Sequence, residues 1–140
     1  MATIKSVELH MVDLVPKVRR TDAIQSFDSQ ETPLVIITDS DGNSGTGYTY
    51  TIGQGGPAIV SLLRATLVPQ LIGREAEDIE AIWKDLLFST HATAVGAITS
   101  LALAAIDTAL WDLRCKRAGL PLYRMLGGAK ECVACYTTEG

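Results

Sequence analysis

Lys17, Arg19 and Arg20 stand together in the run Val15 to Thr32 (VPKVRRTDAIQSFDSQET), within a chain that is otherwise acidic: 12 Lys and Arg against 16 Asp and Glu over 140 residues. Two guanidinium forks and an ammonium on one loop suit a carboxylate-rich ligand, because the fork matches a carboxylate bidentately. The same trio also fits a solvated basic loop, and residue type alone leaves both readings open. The run joins two strand-like segments with far more chain than a hairpin needs, and long connections without regular structure are usually functional or disordered. A second loop carries Gly53, Gly55 and Gly56 ahead of a helical pattern, the right address for an anion. No Gly-Lys-Ser/Thr follows, and the strand before it belongs to a hairpin instead of a βαβ unit. A hinge-capable lid is therefore a better reading than a nucleotide loop.

Other candidates for chemistry are weaker. His10 alternates within a strand pattern and His91 lies in a connection, with no Ser or Cys arrangement that reads as a nucleophile site. Asp107 and Asp112 are five residues apart on a helical pattern and so fall on different faces, against an acid–base pair. The expected arrangement is Asp112 paired with Lys116 at i,i+4, and Asp107 hydrogen-bonded at a helix contact. Three cysteines make no disulfide framework. Cys132 and Cys135 have CxxC spacing but lie in a strand-like run with no second pair, so neither zinc nor redox use is expected.

Composition excludes further classes. A net charge of −4 argues against a nucleic-acid surface. Thr99, Ser100, Asp107 and Thr108 interrupt the best apolar run before the ~18 residues of a membrane span, and the N-terminus has no signal-peptide pattern. A cytoplasmic protein with no membrane partner is expected. With 47% hydrophobic and 20% charged residues, the chain can bury a real core in one globular domain.

The elements that must position these loops follow from periodicity. Thr3 to Leu14, Pro33 to Thr38 and Gly45 to Thr51 read as strands, with Asp39-Ser40-Asp41-Gly42-Asn43 as a tight turn, which predicts an antiparallel three-stranded meander. Pro57 to Leu71 reads as a helix whose last turn is distorted by Pro69. A second helix is expected over Glu75 to Thr90, with Ile79, Ile82, Trp83, Leu86 and Leu87 inward and Glu75, Glu77 and Asp78 at its positive end. From Ile98 to Leu113 the pattern is apolar almost all round, so that helix must lie between two layers. Arg114, Lys116 and Arg117 suit its negative end, Gly119 its left-handed stop, and Pro121 forbids continuation. Leu122, Met125 and Leu126 allow one short further turn. Glu131 to Thr138 (ECVACYTT) again reads as a strand, with no obvious partner.

The stretch AAIDTALWDLRCKRAGLPLYRMLGG, in order and spacing as well as composition, resembles the segment that closes the amino-terminal capping domain of the enolase superfamily, in its mandelate racemase/muconate lactonizing enzyme-like subgroup. The resemblance covers essentially the whole chain, but the family's chains are much longer, so the sequence looks like the front part of an enzyme. It implies an α+β fold: a three-stranded antiparallel meander packed on a helical bundle over residues 1–128. Residues 129–140 would then open a (β/α) barrel that is cut short. The implied activity is Mg²⁺-dependent removal of the proton next to a substrate carboxylate, with metal ligands and bases in the barrel beyond Gly140 and no catalytic or metal residue in this chain.

The resemblance also implies that the cationic loop and the glycine loop fold over the barrel mouth and help choose the substrate. Lys17, Arg19, Arg20 and Tyr50 are the candidate substrate-binding residues, together with Thr138, which falls where the subgroup often has a hydroxyl residue ending the first barrel strand. Cationic and hydroxyl groups suit a polyhydroxy carboxylate, which implies an acid-sugar dehydratase. A 2-hydroxy-acid racemase of the same subgroup is the alternative, and a stand-alone binding module is the alternative of another class. The expected partners are a small carboxylate substrate, the protein's own barrel domain and further copies in a homo-oligomer.

Overall fold

The computed structural model describes residues 1–128 and 130–137. At its centre is β4 (Glu31–Asp39), flanked antiparallel by β1 (Ile4–Asp13) and β5 (Ser44–Tyr48), in the order β1-β4-β5. The register pairs Leu9 with Val35 and Ile36 with Thr46. Period-2 alternation turns Val35, Ile37 and the carboxylate of Asp39 toward the helices, and none of the three retains solvent exposure. The Asp39–Asn43 turn is closed by Asp39 Oδ1, which accepts the N–H groups of Asp41 and Asn43 at 3.0 and 2.8 Å. The expected meander is therefore formed, with an extra two-residue hairpin, β2 (Arg20–Thr21) and β3 (Ser26–Phe27), inside the long loop.

The covering layer starts with α1 (Gly56–Leu62), which widens into a π-type turn over Leu63–Leu67 and tightens to a 3₁₀ turn over Val68–Gln70. Pro69 has no N–H to offer a regular helical ladder, so the distortion expected there is present. Next comes α2 (Ile79–Ser89), which begins later than the expected Glu75. The reason is an alternative use of the backbone: Thr3 bridges Glu75, Ala76 N–H donates to Ala2 O, and Gly73 N–H donates to Ile4 O. Two further readings of this helix need correction. Its buried face is Ile79, Ile82 and Leu86, whereas Trp83 is 43% exposed. Glu77 turns away from the helix dipole to meet Arg114 at 3.3 Å and Arg117 at 3.4 Å.

The longest element, α3 (Ala97–Ala118), lies between the sheet and the other helices as its two apolar faces require. It comes against β5 backbone to backbone. A Cβ on Gly45 would strike Ala109 O, and one on Gly47 would strike Ala105 O. Small residues on both sides, glycine on the strand and alanine on the helix, are what permit this approach. Asp112 at one edge of the contact accepts the Thr46 N–H at 2.7 Å and the Lys116 ammonium at 2.7 Å. Gly119 at φ 65° ends the helix, with Leu120 N–H donating back to Cys115 O at 3.0 Å. The short α4 (Leu122–Met125) follows.

Beyond α4 the expected strand over Glu131 to Thr138 is not formed among the described residues. Residues 130–137 lack ladder pairing, and Val133 and Tyr136 are 76% and 87% exposed. A lone segment cannot satisfy its backbone as a strand without a partner.

Two outcomes test this packing. Gly47→Ala drives a methyl into helix backbone and is expected to cost about 3 kcal/mol or more, against about 1 kcal/mol for Gly42→Ala, which meets only an unfavourable φ of 88°; urea midpoints compare them. The second outcome concerns Asp39, which accepts from Arg117 Nη1 at 2.6 Å. Burial pushes its carboxyl up, but the Asn43 N–H, the Arg117 guanidinium, the Asn43 amide and the Asp41 N–H together outweigh that and hold it below the ordinary value. A depressed folded-state pKa stabilises the fold above the unfolded value of about 3.9, and that stability is lost as pH falls through the folded value. Asp39→Asn is expected to cost about 2 kcal/mol at pH 7, a deficit that shrinks as unfolding is measured at successively lower pH below about 4.

Candidate functional site

The long loop leaves the sheet through a narrow neck. β1 and β4 stay paired as far as Asp13 opposite Glu31. Immediately beyond, Leu14 N–H donates to Gln30 O at 2.9 Å. Asp13 Oδ1 accepts the Ser29 hydroxyl at 2.7 Å and the Gln30 N–H at 3.0 Å. Farther out, Arg20 pairs with Phe27 and Thr21 with Ser26. Asp22 closes the tip, its Oδ1 accepting the N–H groups of Ile24 and Gln25, both at 2.8 Å. Those two bonds, from Gln25 and then Ile24, hold the Asp22 carboxyl below its ordinary value.

The cations sit on this scaffold. Arg19 meets Asp28 at 3.3 Å, with both side chains about two-thirds exposed, 67% and 69%. A pair so open to water is worth little and exchanges partners easily. Lys17 and Arg20 are exposed on the same loop.

The glycine loop comes up beside this neck. Thr49 N–H donates to Pro33 O, and Thr51 N–H to Glu31 O at 2.9 Å. Glu31 Oε2 accepts both the Thr51 hydroxyl at 2.8 Å and the Gly56 N–H at 2.7 Å. Gly53 and Gly55 take φ values of 77° and 109°, which other residues rarely adopt. A side chain at Gly53 would touch Ser29 at 3.5 Å, so the two loops lie against each other.

The structure thus brings the loop of Lys17, Arg19 and Arg20 together with the glycine loop. Tyr50 precedes Thr51 at that junction but turns to solvent: Tyr48 and Tyr50 are 60% and 52% exposed, while Thr49 and Thr51 alternate inward. Thr138 lies outside the described residues. A depression of about 310 Å³, lined by Met11, Pro57, Val60, Ser61, Arg64 and Ala65, opens where β1 passes α1. Sequence reasoning missed Asp13 and Glu31; their one trace is an acid at each end of the excursion, which periodicity cannot distinguish from surface charge.

The remaining candidates resolve simply. His10 approaches Glu8 at 3.6 Å, and His91 Nδ1 lies 3.2 Å from Phe88 O. Cys115 is buried, Cys132 and Cys135 are exposed, and all three are free. Asp107 makes no hydrogen bond to the other described residues, contrary to expectation, and burial pushes its carboxyl up. No three His, Cys, Asp or Glu side chains among the described residues come together as a metal site. No helix of the described residues is long and apolar enough to cross a membrane.

A meander covered by a helical layer, with two joined loops at one end of the sheet, defines an α+β capping domain of the enolase type. The model of the mandelate racemase/muconate lactonizing enzyme N-terminal domain matches residues 6–127, and the chain belongs to that family. It is 41% identical over 102 residues to a 3,6-anhydro-alpha-L-galactonate cycloisomerase of Streptomyces coelicolor, covering 73% of this chain and 28% of the relative. It is 45% identical over 101 residues to a D-mannonate dehydratase of Caulobacter sp. (strain K31), covering 71% and 25%. The crystal structure of L-talarate dehydratase from Polaromonas sp. JS666, complexed with Mg and L-glucarate, superposes with a TM-score of 0.87 at 28% identity, covering 94% of this chain and 36% of that one. The chain therefore spans about a quarter to a third of the length of these proteins.

Proposed function

We propose that residues 1–128 are the specificity cap of an enzyme that abstracts the proton next to a substrate carboxylate and dehydrates an acid sugar, and that residues 129–140 open its barrel. One observation carries the reading: a cationic loop and a glycine loop, joined at Glu31, stand together at one end of the sheet. The dehydratases among the relatives and the L-glucarate in a solved structure support the substrate class.

In this reading the cap's residues bind and exclude water. Arg19 gives up its exposed partner Asp28 for a substrate carboxylate, a fork-to-fork exchange that gains strength as water leaves. Arg20 and Lys17 add positive charge, and Tyr50 and Thr138 are assigned hydroxyl contacts to the sugar. The enzyme as a whole uses Mg²⁺, as the solved dehydratase holds Mg. The residues described here do not fit that ion, since they form no cluster of three ligating side chains, and its ligands are assigned to the barrel. Homo-oligomeric assembly belongs to the same proposal. A second reading, isomerisation of a hydroxy acid, is favoured by the cycloisomerase relative; product analysis by NMR separates a 2-keto-3-deoxy acid from an isomer.

Arg19→Ala and Arg20→Ala test the cap in the whole enzyme, each assayed on a diacid sugar and on its monoacid analogue. At least one should lose about tenfold or more in kcat/KM on the diacid, because a charged contact inside a closed site is costly to truncate. Loss below about threefold in both is what a solvated arginine gives and would remove the loop's charge from substrate recognition.

A further inference from the structure

We infer that Glu31 is a positioning residue that latches the cationic loop to the glycine loop, so that the two move as one lid. The inference rests on the reading of these loops as a cap. Glu31 is the last residue of the long loop's return and the first of β4. Its carbonyl accepts the Thr51 N–H, and its Oε2 accepts both the Thr51 hydroxyl and the Gly56 N–H. One side chain therefore holds both ends of the glycine loop, Thr51 at its start and Gly56 at its close. On the other side, Glu31 pairs with Asp13, the residue that grips Ser29 and Gln30 at the neck.

The fit is tight enough to be a device. The three nearest atoms that a Cβ on Gly56 would meet all belong to Glu31: Cβ and Oε2 at 2.8 Å and Cδ at 3.1 Å. Thr51 is 9% exposed, so its hydroxyl has little water to turn to if the carboxylate leaves. Bonds to a charged acceptor in such surroundings are the stronger kind. Releasing the carboxylate frees the glycine loop, with its two left-handed glycines, and removes its contact with Ser29.

Amide hydrogen exchange on the full chain, without substrate, reads the coupling directly. One set of reporters is Thr51, Gly56, Ala58 and Ile59; the other is Leu14, Asp22, Gln25 and Gln30. Glu31→Ala should speed exchange at least about fivefold in both sets while Val35 and Ile37 of β4 stay protected. Glu31→Gln, whose amide oxygen can still accept both bonds, should restore most of the protection. Gly56→Ala, which displaces the carboxylate without altering it, should reproduce the effect in the distant set. Acceleration confined to the glycine loop would overturn the latch, and so would a uniform rise that includes Val35 and Ile37 in all three variants. An uncoupled result leaves substrate recognition by Arg19 or Arg20 standing, and indifference of the substrate to those arginines leaves the latch standing.

Discussion

Everything in this domain depends on how closely α3 can lie against β5. Gly45 and Gly47 present bare backbone to Ala105 and Ala109, and the strand and helix meet with no side chain between them on that line. This distance fixes where Asp112 can reach the Thr46 N–H and where Arg117 can reach Asp39. It also sets the position of the chain that leaves β5, which is the start of the glycine loop. Ile98, near the other end of α3, lies 3.5 Å from where a Cβ of Gly55 would stand, so the same helix backs that loop. A packing contact thus decides the placement of polar groups at both ends of the sheet.

β4 is the beam between those ends. Asp39 at one end is fully buried and satisfied by the turn it closes and by Arg117. Glu31 at the other end keeps some exposure and holds two loops. The two carboxylates look alike in the sequence, yet one anchors a helix terminus and the other organises loops. The difference is one of surroundings: the Asp39 end is packed under α3 beside Arg117, while the Glu31 end abuts the two loops and offers its carboxylate to Thr51 and Gly56.

The layers of the fold were legible because periodicity reports them. The apolar run Pro33 to Thr38, the turn at Asp39 to Asn43 and the two apolar stripes of α3 each correspond to what the structure shows. The Asp112–Lys116 pair and the stop at Gly119 were legible for the same reason, since helix geometry relates near neighbours. What escaped were contacts between residues far apart in sequence: Glu75 bridging Thr3, Glu77 drawn to Arg114 and Arg117, and Glu31 reaching Thr51 and Gly56. Local pattern assigns an acid to the nearest helix end, whereas tertiary packing brings a cation from elsewhere. For the candidate site, the loop and its charges were visible; the acids that tie it down were not.

The neck at Asp13 and Gln30 has an evolutionary consequence. With the ends of the excursion held a hydrogen bond apart, the residues between them are insulated from the core, and lengthening a closed loop costs only about 0.6 kcal/mol per doubling. Descendants of this domain can insert, delete or recharge the tip without destabilising the sheet. Changes of taste in small molecules are then cheap, while the frame that presents them is held by its own packing.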